Sequence, residues 1–329
     1  MLTRLHFKNW RSLKDTAIDF KTPITVFIGA NSSGKTNILD ALHFLRDLMM
    51  HDQSSDAVYY QWERRKAHTL NVSDDIPIEL QLSFKSPSDN DLMTYSLSIG
   101  HNRKTRGVLS ESLTSQNYNK ILSSLFSGSL GEVSTIDSNV VIHQPSLLLP
   151  ILPKPDSTNL EKIALWAKSR QLYLFMAERW QLLHENFVPA LSVSIEKDDH
   201  FYPYMIDPGA SNVSLILEFL QKQYPELYNE LQNDVRWLLD HVDSLETEHT
   251  ERETRFFVRE KGIQGEAPTI STGTARAIAM LLPFYALDMR FSQVPGLVAI
   301  EEPDTALNPW LLRNFVEQLR NYTEREEHP

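Results

Sequence analysis

Apolar positions along this chain follow two rhythms, and the points where one gives way to the other divide it into elements. Near the start, Leu2, Leu5 and Phe7 stand among polar residues, Ala17–Phe20 follows a short polar turn, and Thr25–Ile28 is apolar. Together these predict three strands in quick succession, antiparallel neighbours. From Asn37 to Leu48 the spacing changes: Ile38, Leu39, Ala41, Leu42, Leu45 and Leu48 lie on one face of a helix. Alternation returns at Ile78, Leu80, Leu82 and Phe84, and again at Met93, Tyr95, Leu97 and Ile99. The turn residues from Ser86 to Asp91 make that pair a β-hairpin.

Other stretches are less regular. Residues 51–75 are polar and turn-rich and read as a long loop or insertion, while residues 110–155 are Ser/Asn-rich and give no assignment. Leu160 to Val188 reads as one helix, with Leu165, Trp166, Leu172, Phe175, Met176, Trp180 and Leu183 as core or helix–helix packing. After the break at Pro208-Gly209, Asn212–Gln223 and Pro225–Val242 predict two amphipathic helices, and Asp243–Gly262 a hairpin around Phe256 and Val258. A helix over Ala275–Arg290, a wholly apolar strand at Leu297–Ile300 and a helix over Trp310–Tyr322 complete an α/β pattern.

Composition narrows the class. A 41% hydrophobic and 23% charged chain of 329 residues has the make-up of a globular protein with ample length for a core. No run reaches membrane-span length, and the polar start lacks a signal-peptide apolar region. With no cysteine there is neither disulfide nor thiolate metal site, which suits a cytoplasmic location. A net charge of −11 gives the surface as a whole no attraction for nucleic acid; Arg64-Arg65-Lys66 and Arg103-Lys104-Thr105-Arg106 are the dense basic runs, each read as a solvated loop before a DNA contact. Phe201-Tyr202-Pro203-Tyr204 offers a base-stacking platform, with buried edge packing as its simpler account.

The chemistry concentrates in two places. Gly29-Ala30-Asn31-Ser32-Ser33-Gly34-Lys35-Thr36 is G-x-x-x-x-G-K-[ST] between an expected strand and an expected helix. Its glycines let the backbone wrap closely around phosphate, and the amides at the helix start point at the anion. Lys35 is placed to reach the β- and γ-phosphates of a nucleotide and Thr36 to coordinate Mg²⁺, with Gly29, Asn31, Ser32, Ser33, Gly34 and Asn37 lining the loop. The competing reading is a tight glycine turn. Further on, the apolar run Leu297–Ile300 ends in Glu301 and Glu302. Buried adjacent acids need an offsetting cation, so Glu301 is assigned to Mg²⁺ and Glu302 to the attacking water, against a surface acid pair as alternative. Upstream, Thr269 to Arg276 opens a helix with small residues, an anion-binding geometry or ordinary N-capping.

Four separated stretches, LHFKNWRSLKDTAIDF, GANSSGKT, ISTGTARAIAMLL and IEEPDTALNP, together resemble the ABC-class ATPases of the RecF/SMC-like group, in particular the compact AAA_21-type proteins. Asp207 to Asn212, followed by two helices, resembles that family's lid region; residues 50–200 carry little of the resemblance. It implies a P-loop NTPase head of ABC type with a mixed β-sheet core and a helical lid or insertion region. Residues 1–50 and 263–329 would form the ATPase lobe, 51–205 a hairpin and helical insertion, and 206–262 the lid and a hairpin. The resemblance further implies that two protomers sandwich two ATP molecules, with Ser271 and Gly273 touching the γ-phosphate in trans, Arg11 contacting nucleotide in cis, and Asp304 at the dimer seam. Thr272-Gly273-Thr274 stands where transporters have Gly-Gly-Gln/Glu. A further strand with a switch histidine is expected after the last helix; the charged run ending in His328 does not supply it, so the chain given is expected to stop short of it. The functions implied are ATP hydrolysis driving engagement of a partner or DNA, in DNA maintenance or anti-phage defence, or ATP-dependent assembly with a separate effector such as a nuclease or toxin. A small-molecule kinase shares the loop but leaves the adjacent acids unexplained.

Overall fold

The computed structural model describes residues 1–50, 76–86, 89–100, 107–117, 122–127, 130–134, 139–142, 149, 160–184, 187, 189–190, 192–194, 204–262, 270–288, 296–305 and 307–325. The expected loop at 51–75, both basic runs, residues 201–203 of the aromatic run and His328 lie outside them. Two compact units divide the chain, Met1–Glu178 and Arg179–Pro329.

In the first unit, eight antiparallel strands run in the order β2-β1-β3-β4-β5-β6-β7-β8. They are β1 (Leu2–Trp10), β2 (Leu13–Asp19), β3 (Ile78–Lys85), β4 (Leu92–Gly100), β5 (Gly107–Ser115), β6 (Leu122–Ser127), β7 (Leu130–Ser134) and β8 (Asn139–Ile142). Register explains the alternation: Leu5 faces Leu82, Leu80 faces Leu97, and Tyr95 faces Leu113, so one side of the sheet is a continuous apolar surface. Helix α1 (Lys35–Met50) packs on α2 (Leu160–Glu178). Their aromatic residues reach the sheet, with Phe84 and Phe175 ring centroids 4.9 Å apart and Trp10 and Phe44 at 5.1 Å.

The expected third strand at Thr25–Ile28 is not formed. Residues 24–30 carry no ladder, Val26 and Ile28 are 73% and 91% exposed, and β2 is the sheet edge. An apolar run becomes a strand only with a hydrogen-bonded neighbour, and among the described residues none pairs with this segment.

A buried ion cluster ties α2 to the β3–β4 turn. Lys168, 6% exposed, donates to Asp89 at 2.6 Å and to Asp91 at 2.7 Å, and Asp91, 2% exposed, also accepts from Ser115 at 2.6 Å. Burial alone would raise the Asp91 pKa, but the bonds from Lys168 and Ser115 outweigh it and hold it below its ordinary value. For Asp89 the Lys168 bond dominates and also lowers the pKa. Burial pulls the other way on Lys168, whose bonds to both aspartates nevertheless raise it. Lys168→Met leaves Asp91 buried without its cation and is expected to cost about 3–5 kcal/mol, read as a fall in Tm. Because both carboxyls titrate lower in the fold, wild-type stability from this cluster is complete above the ordinary carboxyl value of 3.8 and is lost as pH falls through the depressed folded values. In Lys168→Met the acid-side decline should be shallower than in wild type.

The second unit is organised on a parallel pair, β9 (Trp180–Leu183) with β13 (Leu297–Ile300), in register from Leu297 opposite Trp180 to Ile300 opposite Leu183. The single helix expected over 160–188 therefore ends at Glu178 and gives way to a strand. Trp180, Gln181, Leu182 and Leu183 are all 0% exposed. A strand buried on both faces loses its alternation and cannot be told from a buried helical segment by periodicity. Gln181 fits this core because its amide donates to the Tyr204 carbonyl at 2.7 Å and accepts from the Ile206 amide at 2.9 Å.

Around that pair stand α3 (Val213–Gln223), α4 (Pro225–Leu238), α5 (Thr272–Asp288) and α6 (Pro309–Arg325). A second sheet, ordered β10-β12-β11, comprises β10 (Ser192–Ser194), β11 (Val242–His249) and β12 (Glu253–Glu260). Helix α5 is buried nearly throughout, and the apolar faces of α3 and α4 close over it. Asp234 on α4 accepts hydrogen bonds from both Tyr285 and Tyr322, joining α4, α5 and α6 through one carboxylate.

Candidate functional site

Residues 29–36 form a tight loop at the amino end of α1. Ser32 and Gly34 are left-handed, at φ 64° and 97°, with Ser33 at negative φ between them. Alternation of hand gathers backbone N–H groups into a concave nest suited to an anion. A Cβ on Gly34 would lie 2.8 Å from the Ser12 Oγ and 3.2 Å from a Leu13 methyl, so both space and φ demand glycine there. Lys35 reaches back from the helix to the start of the loop, donating to the Gly29 carbonyl at 2.8 Å and the Ala30 carbonyl at 2.9 Å. Thr36, Asn31, Ser32 and Ser33 are exposed.

The β1–β2 hairpin supports this loop from one side. Trp10, wholly buried, donates its indole N–H to the Asn37 carbonyl at 2.8 Å, and the Asn37 amide donates to Ser12 Oγ at 2.6 Å. Arg11, left-handed at φ 48°, bonds the Asn37 side chain at 3.3 Å and forms an ion pair with Asp40. The guanidinium expected at a nucleotide is thus seated against the first turns of α1. Asp40, 6% exposed, did not stand out in the sequence, because its partner lies 29 residues away.

In the second unit the two acids after β13 diverge. The Glu301 amide donates to the Leu183 carbonyl at 3.0 Å, extending the parallel pairing by one residue, and Glu301 is 8% exposed. Glu302 is left-handed at φ 46° and exposed, and its carboxylate accepts from the Thr305 hydroxyl at 3.2 Å. Backbone strain of this kind in a non-glycine residue persists only where its surroundings impose it. Here the Glu302 carbonyl accepts from the Thr305 amide at 3.0 Å and from Arg276 at 3.3 Å.

Arg276, 2% exposed, lies on α5 with its guanidinium carbon 3.9 Å from the Phe187 ring centroid and donates to the Phe187 carbonyl at 2.8 Å. Burial lowers its pKa, and the charges of Glu302 and Asp304 oppose that fall. The signal for this residue was present in the sequence as one cation in an otherwise apolar helix, which must find partners.

At the start of α5, Ser271 Oγ accepts from the Thr274 amide at 3.1 Å and contacts its hydroxyl at 2.8 Å. Ser271 is therefore an N-cap, and Gly273 sits half-buried in the first turn. Asp304 is exposed, and Asn308 caps α6 through the Leu311 amide at 2.8 Å. Among the described residues, Arg11 and Gly29 to Asn37 come together in the first unit, and Glu301, Glu302, Thr305 and the α5 arginine in the second.

Comparison with known proteins gives a match over residues 24–327 to the AAA_21 family, described as "AAA domain, putative AbiEii toxin, Type IV TA system". The chain belongs to the AAA_21 family. Its motifs thus sit in a RecF/SMC-like ABC-class ATPase. Curated relatives include the DNA replication and repair protein RecF of Lactococcus lactis subsp. cremoris (strain MG1363), 34% identical over 88 residues, 26% of this chain and 24% of the relative. RecF of Streptococcus pneumoniae (strain CGSP14) is 33% identical over the same length, again 26% and 24% of the two chains. The matched segment spans about a quarter of these relatives. Among solved structures, an SMC head bound to the C-winged helix domain of ScpA has a TM-score of 0.52 at 13% identity, covering 98% of this chain and 87% of that one. The α/β head fold with helices around mixed strands is shared with it.

AAA_21 membership implies a nucleotide and a divalent metal. The loop fits the first: the left-handed residues, the glycine whose φ and close neighbours disfavour any side chain and the lysine bonded back over the loop together suit an anion. For the metal, the exposed Thr36 hydroxyl and the Glu301 carboxylate are oxygen donors of the type Mg²⁺ takes.

Proposed function

We propose that this AAA_21 protein binds and hydrolyses ATP, and that two copies close on nucleotide to drive engagement of a partner protein or DNA. The observation that carries the reading is the phosphate loop, where Gly34 at φ 97° is wedged on Ser12 and Leu13 and Lys35 is held over the loop carbonyls. Lys35 would meet the β- and γ-phosphates, with the loop residues Gly29, Asn31, Ser32, Ser33, Gly34 and Asn37 around them. Thr36 and Glu301 would hold Mg²⁺, which neutralises phosphate charge when bound. Glu302 would orient the attacking water and accept its proton. Ser271 and Gly273 would serve the γ-phosphate of a second copy, where helix-start amides favour an anion. Arg11 would serve nucleotide in cis after leaving Asp40.

The relatives named for DNA replication and repair support a role in DNA maintenance; a defence role with a separate effector is the second reading, and the family description names a putative toxin of a Type IV TA system. On this reading residues 1–50 and 263–329 build the ATPase lobe, while 51–205 and 206–262 are insertion and lid. Phosphate release from ATP and Mg²⁺, with and without DNA, is the test. Release that depends on Lys35 and Glu302 supports hydrolysis; tight ATP binding with no release under either condition would leave only an assembly scaffold.

A further inference from the structure

Arg276 occupies an unusual place: a cation in an apolar helix, buried, and directed at the backbone of an acid on another element. Its guanidinium spans two carbonyls, Phe187 at 2.8 Å and Glu302 at 3.3 Å, while its central carbon lies over the Phe187 ring, 3.9 Å from the centroid. Glu302 is left-handed, a strained conformation for a residue with a side chain, and its carbonyl is where Arg276 grips. That conformation sends the Glu302 side chain to the exposed side while Glu301, one residue earlier, stays buried.

We infer that Arg276 is a positioning residue for Glu302, holding its backbone in the left-handed turn that presents the carboxylate to the reacting water. The inference rests on the reading of Glu302 as the hydrolytic base. In this role Arg276 acts through the acid. A lysine ammonium can donate to two carbonyls, but it is a compact point charge without the rigid planar fork that holds both donors apart while lying over a ring. Thr305, whose hydroxyl bonds the Glu302 carboxylate at 3.2 Å, completes the orientation from the other end. Because Arg276 lies on the helix that Ser271 caps, the segment proposed to meet a second copy's nucleotide is joined by one side chain to the backbone of the proposed base.

The test is Arg276→Lys, which keeps the charge, with Arg276→Ala as a second variant and Thr305→Val as a third. ATP binding stoichiometry and steady-state hydrolysis are measured on each full chain. Expected for Arg276→Lys is a kcat at least tenfold lower, a KM for ATP within twofold of wild type, and unchanged binding sites per chain. A kcat within twofold of wild type overturns the inference. So does a stoichiometry that falls in proportion to kcat, since that marks a purely structural role. If Arg276→Ala does not fold, the lysine variant and Thr305→Val, expected to lower kcat severalfold at unchanged stoichiometry, carry the decision. Failure of the underlying reading shows separately: Glu302→Gln would then hydrolyse ATP at the wild-type rate.

Discussion

Lys35→Ala is expected to abolish nucleotide binding while leaving the fold intact. The ammonium lies over the loop, bonded to the Gly29 and Ala30 carbonyls at 2.8 and 2.9 Å, where a phosphate oxygen would compete for the same charge. Charge-assisted hydrogen bonds contribute about 1.5–3 kcal/mol each, so losing contacts to two phosphates should weaken ATP binding by roughly 10²-fold or more. The fold should hold because the freed carbonyls lie at an exposed loop and find water, and the hairpin contacts through Trp10, Ser12 and Asn37 remain. In a thermal melt, ATP with Mg²⁺ should raise the Tm of wild type and leave that of the variant unmoved. Calorimetric affinity within threefold of wild type would remove Lys35 from the site.

How much of this was readable from residues alone depended on whether the signal was local. The hairpin of β3 and β4 announced itself because each strand has one buried and one wetter face, and α3 and α4 because each shows a single apolar stripe. Strand β9 did not. Trp-Gln-Leu-Leu is buried on both sides and follows α2 with no glycine or proline between them, so helical spacing runs straight into it. Strands β6, β7 and β8, with sequences LSSLFS, LGEVS and NVVI, are only six, five and four residues long and lie within a Ser/Asn-rich stretch, too little alternation to stand out from turn-like surroundings. At Thr25–Ile28 the error ran the other way, since β propensity says nothing of whether a partner strand is beside it.

Site residues divide along the same line. Gly34 and Lys35 follow from a contiguous motif whose spacing is itself the mechanism. Arg11 was placed at the nucleotide by resemblance, yet its ion pair with Asp40 joins residues far apart in sequence, which only the packing of the hairpin on α1 reveals. Ser271 shows the limit of reading one residue as one role: the hydroxyl that caps α5 is also the atom assigned to phosphate, and the sequence supports both. The divergence of Glu301 and Glu302 depends on a positive φ that no composition rule marks in a glutamate.

Glu302→Gln should separate binding from chemistry. The amide is nearly isosteric and keeps an acceptor oxygen for Thr305, so the turn held by Arg276 and the Thr305 amide should persist. What disappears is proton acceptance, a contribution of about 10²–10⁴ in rate. ATP affinity should stay within a few-fold of wild type, because the phosphate loop is untouched. If nucleotide is the bridge between two copies, blocking its hydrolysis removes the step that reopens them, and ATP-linked association should accumulate as dimer by mass action. Sedimentation with saturating ATP and Mg²⁺ should therefore show a stable dimer for Glu302→Gln, a monomer without nucleotide, and a monomer in either condition when Lys35→Ala is added. A Glu302→Gln chain that binds ATP fully and still sediments as a monomer would mean that nucleotide does not join two copies, and Ser271 and Gly273 would lose their proposed role in trans.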